Sequence, residues 1–308
     1  MPKKKIPIPS DFARPKKGIR QEKKEVPAGP TPVRKNIHKR TPATRPSPPG
    51  GNKKITNATP KTSATEEAKM PLNKYIAHCG ICSRREAIEP IKKGSVTVNE
   101  QVVTEPGYKV QEADRVCYEG KPIKPQPRLL YYLLNKPRNY ITTTDDPDGR
   151  RTVLDLIKTP DGIRIYPVGR LDRNTTGLLL LTNDGELAQK LSHPKHETRK
   201  LYQVGLDKAL TKPDFDRIVK GVLLEDGKAV VDELAYTDAS DKKQIGIAIH
   251  SGRNRIVRRI FEHLGYEVKT LDRVMYAGLT KKNLPRGKYR ELESKEVIFL
   301  KHFRSSSK

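Results

Sequence analysis

Tyr166-Pro-Val-Gly169-Arg170-Leu-Asp172-Arg173-Asn-Thr-Thr-Gly177-Leu178-Leu-Leu-Leu181-Thr-Asn-Asp184-Gly185 sets an acid, Asp172, between two arginines and just ahead of a continuous apolar run. The run Leu178 to Leu181 is short and bounded by turn residues, which suits a strand buried on both faces better than a helix. A reactive group in a turn beside such a strand is held rigidly. Gly169 and Gly177 supply backbone angles that other residues resist, so the turn folds tightly and a ligand can approach its backbone. The guanidinium groups of Arg170 and Arg173 favour the ionised carboxylate of Asp172, a ready anion and a candidate nucleophile. A structural reading competes with this one: an aspartate in a glycine-bounded turn commonly accepts backbone N–H bonds and has no further role.

The wording Gly169-Arg-Leu-Asp172, followed by Thr-x-Gly-Leu-Leu-Leu-Leu-Thr-Asn-Asp-Gly, resembles the catalytic motif of bacterial ribosomal RNA pseudouridine synthases of the RsuA type, which include RluB, RluE and RluF. The resemblance makes Asp172 the expected catalytic aspartate.

The whole chain agrees with an RNA partner. Its 308 residues carry a net charge of +26 with no tryptophan and only 34% hydrophobic residues, which points to a polyanion, nucleic acid first and anionic membrane second. No apolar run approaches the roughly 18 residues that span a bilayer, and no signal peptide opens the chain, so a cytoplasmic protein is expected. Three cysteines are too few for a disulfide framework and fit a reducing compartment.

Residues 1 to 69 form a separate region, with 12 of the 25 prolines and 18 Lys or Arg against 5 Asp or Glu. That net of +13 (18 minus 5), with no apolar periodicity, reads as a disordered basic tail. Its charge suits salt-sensitive phosphate contacts, and with Phe12 as its one aromatic it offers no stacking surface for recognising a sequence.

Order is expected from Met70. Leu72, Ile76 and Cys79 share one side of a short helix, Gly80 turns the chain, and Ser83-Arg84-Arg85-Glu86 has the spacing of a capping box opening a second helix that stops at Gly94. Val96 and Val98, then Val102 and Val103 beyond Asn99-Glu100, read as a hairpin with a two-residue turn. Arg84, Arg85, Lys92 and Lys93 surround the second helix and are candidate phosphate contacts. Residues 70–124 resemble an S4-type RNA-binding domain, especially in Leu72-Asn-Lys-Tyr-Ile-Ala and Gly80-Ile-Cys-Ser-Arg-Arg-Glu-Ala, with Pro90 inside the second helix and Glu100 at a turn position usually held by glycine as departures. His78-Cys79-x-x-Cys82 suggests half a zinc site, but only Cys117 remains to complete it, so no metal site is expected.

After Pro125-Gln-Pro, residues 128–308 are expected to form the catalytic domain. Leu129 to Leu134 reads as a strand ending at Asn135-Lys136-Pro137, and Val153 to Ile157 as a short helical segment. Asp184 caps a helix carrying Leu187 and Leu191. In Lys200-Leu-Tyr202-Gln-Val204-Gly-Leu206, alternation puts Tyr202 on one face with Val204 and Leu206, where it is either a core residue or, by resemblance to the family's Lys-x-Tyr motif, the residue lying against the uracil ring. Ile245 to Ile249 is a strand that leads through Ser251-Gly-Arg253-Asn-Arg255 into a helix with an apolar stripe of Ile256, Val257, Ile260, Phe261 and Leu264. Arg253 and Arg255 at that helix start are candidate phosphate contacts. This stretch is similar to the family's Gly-Arg-Asn-Arg-Gln-Val-Arg-Arg, with Ile256 in place of glutamine, and the similarity makes Arg258 the expected ion-pair partner of Asp172.

The resemblance, which covers residue 70 to the end, implies an α+β catalytic domain with a mixed, largely antiparallel sheet, behind a small S4-like domain and the tail. It implies an isomerase that flips a uridine out of ribosomal RNA, with Arg170 filling the space it leaves, and no cofactor, in agreement with the absence of a phosphate-binding loop or dinucleotide fingerprint. The expected partner is ribosomal RNA or a precursor particle, with no membrane or DNA role and a monomer as the acting form. The wording leans to the large subunit. The alternatives are a small-subunit target and a non-catalytic RNA-binding or ribosome-assembly factor.

Overall fold

The computed structural model describes residues 70–126, 128–160 and 163–302, all within one unit, Glu67–Lys308. The basic tail expected over residues 1 to 69 lies outside the described residues.

The chain first builds a small layered module. β1 (Met70–Pro71) leads into α1 (Leu72–His78) and α2 (Ile88–Lys92), followed by β2 (Val96–Val98), β3 (Gln101–Val102), β4 (Lys109–Val110), β5 (Val116–Tyr118) and β6 (Lys121–Pro122). β3, β2, β5 and β6 form an antiparallel sheet in that order, and β1 pairs with β4. Leu72, Ile76, Ala87, Ile91, Val96, Val98, Val110 and Val116 make its core. Asn99 and Glu100 both adopt positive φ (50° and 69°), the backbone that a two-residue hairpin turn demands. Asn99 fixes that turn by donating to Asp114 at 2.8 Å and accepting the Arg115 N–H at 2.9 Å.

The second helix is shorter than the sequence suggests. Ser83 and Glu86 do exchange capping hydrogen bonds, at 3.2 and 2.9 Å, but regular helix spans only Ile88–Lys92. Pro90 has no N–H to offer the Glu86 carbonyl, so the capped turn and the helix are separate pieces.

The larger region follows as β7 (Tyr131–Lys136), a 3-10 turn at Val153–Leu156, β8 (Tyr166–Pro167), β9 (Thr176–Thr182), α3 (Gly185–Ser192), β10 (Lys200–Leu206), α4 (Lys212–Lys220), β11 (Val222–Leu224), β12 (Gly227–Ala229), β13 (Glu233–Tyr236), β14 (Gln244–Ile249), α5 (Ile256–His263), β15 (Val268–Tyr276), β16 (Leu279–Thr280), β17 (Tyr289–Glu291) and α6 (Ser294–His302). The main sheet runs β13-β14-β10-β15-β9-β7-β17, with β16 on β15 and β8 on β9. Within it only β15 and β9 are parallel, so the fold is α+β with a mixed and largely antiparallel sheet, as expected. No helix among the described residues is long and apolar enough to cross a membrane.

β9 is the strand that decides the architecture. Leu179 and Leu181 enter one core with Tyr202, Val204, Ile260 and Phe261, whereas Leu178 and Leu180 enter the opposite core with Leu187, Leu191 and Leu300. Because leucine occupies both faces, a slip of one residue would bury the same surface, and the apolar pattern alone cannot set the register. Contacts at the two ends set it. Thr182 donates to the Leu130 carbonyl at 2.6 Å and Asp184 caps α3 by accepting the Leu187 N–H at 3.0 Å, while Gly177 (φ +111°) lies directly against the backbone of Arg273.

The edge of β9 facing away from β7 is shared. Thr176 and Gly177 pair with β15, whereas Leu181 and Thr182 pair with β8, so the sheet opens between them. The chain from Gly169 to Thr175 emerges in that opening.

A Cβ at residue 177 would come within 2.3 Å of the Arg273 carbonyl oxygen, in a backbone region that side chains resist. Gly177→Ala is therefore expected to lower unfolding free energy by at least about 2 kcal/mol, measured by urea titration, with the parallel β9 and β15 junction the first amides to lose exchange protection.

Candidate active site

Asp172 opens a tight turn whose Thr175 N–H donates to the Asp172 main-chain oxygen at 3.0 Å. Among the described residues its carboxylate accepts no backbone N–H and meets only the Thr175 hydroxyl, at 3.5 Å. The turn is thus made by the main chain, and the acid is left for other work. Thr142 braces the other side, donating to the Leu171 carbonyl at 2.8 Å and accepting the Leu171 N–H at 3.3 Å.

Underneath lies Lys136, the last residue of β7 and completely buried. Its Nζ donates to the carbonyls of Asp172 (3.1 Å), Arg173 (3.3 Å), Thr175 (2.9 Å) and Pro137 (3.1 Å). Burial pushes its pKa down to about 8, Asp172 opposes that shift, and the Arg286 guanidinium adds to it.

Asp172 forms one wall of a cleft of about 170 Å³. Tyr202 and Lys200 face it from β10, Ile249 from the end of β14, Ser251 to Arg253 and Arg255 to Val257 from the following loop and helix, and Leu271, Arg273 and Tyr276 from β15. Strict alternation would send Tyr276 to the other face from Leu271 and Arg273. A bulge opposite Leu201 and Tyr202, where β15 skips from Arg273 to Met275, resets the alternation and brings all three residues to the cleft. Tyr202 is buried on the same face as Val204 and Leu206, as expected, and its hydroxyl has no hydrogen-bond partner among the described residues. Lys200 donates to the carbonyls of His250 (2.8 Å) and Ser251 (3.3 Å), and burial, reinforced by Arg273, takes its pKa down to about 8.

Arg258 is buried on α5, where Asp172 is among the charges acting on it, but the two do not close an ion pair within 4.0 Å. The Val268 carbonyl holds its Nη1 at 2.8 Å, and its Nε is buried without a partner. Burial is the first cause of its lowered pKa, ahead of the Arg255 charge, and Asp172 opposes both. Arg253 and Arg255 line the cleft, but neither is simply free to meet a phosphate. Arg253 bonds Asp226 and the carbonyls of Gly227 and Lys228, pinning the β11 and β12 hairpin together with Arg259, and Arg255 pairs with Glu262 at 3.2 Å. Arg170 is exposed at the cleft wall. In the N-terminal module Arg84, Arg85, Lys92 and Lys93 are all exposed, and among the described residues only Lys93 has an ionic partner, Glu89 at 3.8 Å.

A small layered module with exposed arginines, followed by a split mixed sheet that presents an aspartate to a cation-lined cleft, is the arrangement of an enzyme that works on RNA. Comparison with known proteins gives the same class. Residues 130–263 match the RNA pseudouridylate synthase family and residues 70–116 match the S4 domain. The ribosomal large subunit pseudouridine synthase B of Bacillus subtilis (strain 168) is 45% identical over 229 residues, covering 73% of this chain and 93% of that protein. A protein of the same name from Vibrio cholerae is 38% identical over 237 residues, covering 75% of this chain and 74% of its own length. A crystal structure of a pseudouridylate synthase superposes with a TM-score of 0.54 at 28% identity, covering 75% of this chain and 99% of the other. The chain belongs to the RNA pseudouridylate synthase family, in its RsuA-type branch, and is an isomerase.

Reading the sequence singled out Asp172, Tyr202 and Arg258 but missed Lys136, Lys200 and Arg273. A lysine at the end of an apolar strand gives a faint signal at best, since its burial depends on carbonyls contributed by a turn nearly forty residues away.

Lys136→Met removes the charge that gathers the turn and leaves several carbonyls unpaired. It is expected to cost about 2–3 kcal/mol of stability and at least tenfold in turnover, with RNA affinity little changed. Because the folded pKa is lowered from 10.5 to about 8, the unfolded chain binds the Lys136 proton more tightly, and the penalty for burying the charge is present in full below pH 8. The stability of the native protein relative to Lys136→Met should therefore rise by about 1 kcal/mol per pH unit between pH 8 and 10.5, read by denaturant titration across that range.

Proposed function

We propose that this chain converts a uridine of large-subunit ribosomal RNA to pseudouridine, with Asp172 as the catalytic group. The observation that carries the reading is the unspent carboxylate of Asp172, fixed by a main-chain turn at the wall of a cleft whose other charged groups are cations. A binding module has no use for an ionised acid there. The names of the relatives from Bacillus subtilis and Vibrio cholerae support the ribosomal large subunit as the target.

The division of labour follows the chain. Residues 70–124 grip the RNA through Arg84, Arg85, Lys92 and Lys93, residues 128–308 carry out the chemistry, and residues 1–69 add unspecific phosphate attraction. The target uridine leaves its stack and enters the cleft, with Arg170 at the space it vacates and Arg253 and Arg255 along the wall beside the backbone. Asp172 initiates cleavage of the bond from C1′ to N1. The base turns and rejoins through C5, losing the C5 proton while N1 gains one, so the isomerisation balances without a cofactor. Tyr202 lies against the ring with its hydroxyl free to assist proton removal, and Arg258 orients the carboxylate through the field of a buried charge. The protein acts as a monomer in the cytoplasm, on ribosomal RNA or a precursor particle, with no role on DNA.

Mapping pseudouridine in both ribosomal RNAs from cells lacking this protein tests the reading. One large-subunit site is expected to disappear, to return with the native gene and to stay absent with Asp172→Ala, while the purified variant binds RNA within a few-fold of the native protein. A variant that still turns over removes Asp172 from the mechanism, and a lost small-subunit site corrects the target.

A further inference from the structure

Arg273 is 2% exposed and lines the cleft, yet no carboxylate pairs with it among the described residues. Its Nε donates to the Leu178 carbonyl at 2.7 Å, at the edge of β9 where the sheet opens, and its Nη2 is buried with no partner. The Tyr276 ring lies 4.5 Å from the guanidinium carbon and offsets only part of what burial takes from the charge. Buried charges are ordinarily paired, so an unpaired one at the floor of a cleft marks the place of a missing acceptor. Lys200 brings a second cation to the same floor, close enough to Arg273 for the two to repel. Arg273 stands opposite Tyr202 on the neighbouring strand, next to the bulge that brings Tyr276 to the same cleft.

The size of the cleft and the depth of the charge identify the acceptor. A volume of about 170 Å³ is well below the roughly 300–1,000 Å³ of sites that enclose whole small ligands, and it suits a single base rather than a nucleotide with its phosphate. Arg170 is exposed where it lines the cleft, whereas Arg273 is 2% exposed. We propose that Arg273 is a catalytic residue of this enzyme, donating from its Nη groups to O4 of the extruded uracil. This rests on the reading of the cleft as a uridine site.

The chemistry gives the contact its purpose. When the bond from C1′ to N1 breaks, its electron pair stays with the base and spreads through C6 and C5 to O4. If Asp172 instead adds to C6, the resulting enolate again places the charge on O4, as does removal of the C5 proton. Each route places negative charge on O4, shared with O2 in the first, and a fixed cation in a site that excludes water stabilises that charge more in the transition state than in the neutral base.

The test pairs a protein change with a change of one substrate atom. Single-turnover rates are measured for the native protein, Arg273→Met and Arg273→Lys on an RNA transcript carrying uridine, 4-thiouridine or 2-thiouridine at the target position. Arg273→Met is expected to slow the native substrate about 100-fold with RNA affinity within about threefold, and Arg273→Lys, which keeps the cation, to recover part of that loss. Placing the weak acceptor sulfur at position 4 should slow the native enzyme about tenfold and leave Arg273→Met unaffected. A purely structural role would let the two losses multiply, which overturns the proposal, as would coupling to 2-thiouridine or to a methylphosphonate at the target phosphate instead. If the native protein fails to convert the uridine transcript at all, the reading of the site as a pseudouridine synthase falls first, and this contact falls with it.

Discussion

The ammonium group of Lys136 holds together the part of the molecule on which the rest depends. Four carbonyls converge on it, three of them from the Asp172 to Thr175 turn, in a wedge that solvent does not reach. Without a donor at that point the turn would leave acceptors unpaired in a dry interior, a more costly outcome than losing an exposed hydrogen bond. With it, the Asp172 backbone is tied from below, and the side chain keeps only the direction the cleft requires. Thr142 at the preceding residue and the Thr175 N–H complete the restraint.

That wedge exists because of how the sheet is joined. An antiparallel sheet with every edge paired would leave no opening at its centre. Here β9 gives two residues to a parallel pairing with β15, then turns to β8, and between them the Leu178 carbonyl is satisfied by a side chain, the Nε of Arg273. The same side chain therefore closes the hydrogen-bond ledger of the split and lines the cleft that the split creates. Gly177 permits the close approach on which both depend, since any Cβ would strike the Arg273 backbone.

Elements whose evidence is local were legible in the sequence. The buried leucine run, the Asp184 cap, the strand that carries Tyr202 and the amphipathic helix from Ile256 all depend on spacing within a few residues, and all are found. The second helix of the N-terminal module was read too long, although Pro90 marked the interruption. Motif wording brought Asp172, Tyr202 and Arg258 into view, but it could not show that Arg258 stops short of a closed ion pair, because the Val268 carbonyl competing for its guanidinium lies ten residues further along, across a turn. Arg253 illustrates the same limit. Its place at a helix start suggests phosphate, whereas the folded chain brings Asp226 and two hairpin carbonyls to it. Lys136, Lys200 and Arg273 carry no local signature, since each is defined by groups from other strands and turns.

In the proposed function the distribution of these charges separates binding from chemistry. Arg84, Arg85, Lys92 and Arg170 are exposed, so their pull on phosphates is screened by salt over about 8–10 Å at ordinary ionic strength. Lys136, Arg258 and Arg273 are buried, and Lys200 is held between carbonyls at the cleft floor, so ions reach them far less. The Asp172 carboxylate lies within the field of two of these cations, Lys136 and Arg258. The same field favours negative charge on a base drawn in beside it. In the proposed reaction a neutral uridine therefore enters at little electrostatic gain, and the gain comes as its bond to the sugar breaks. For this reason the strongest charges of the site lie at its floor rather than at its mouth.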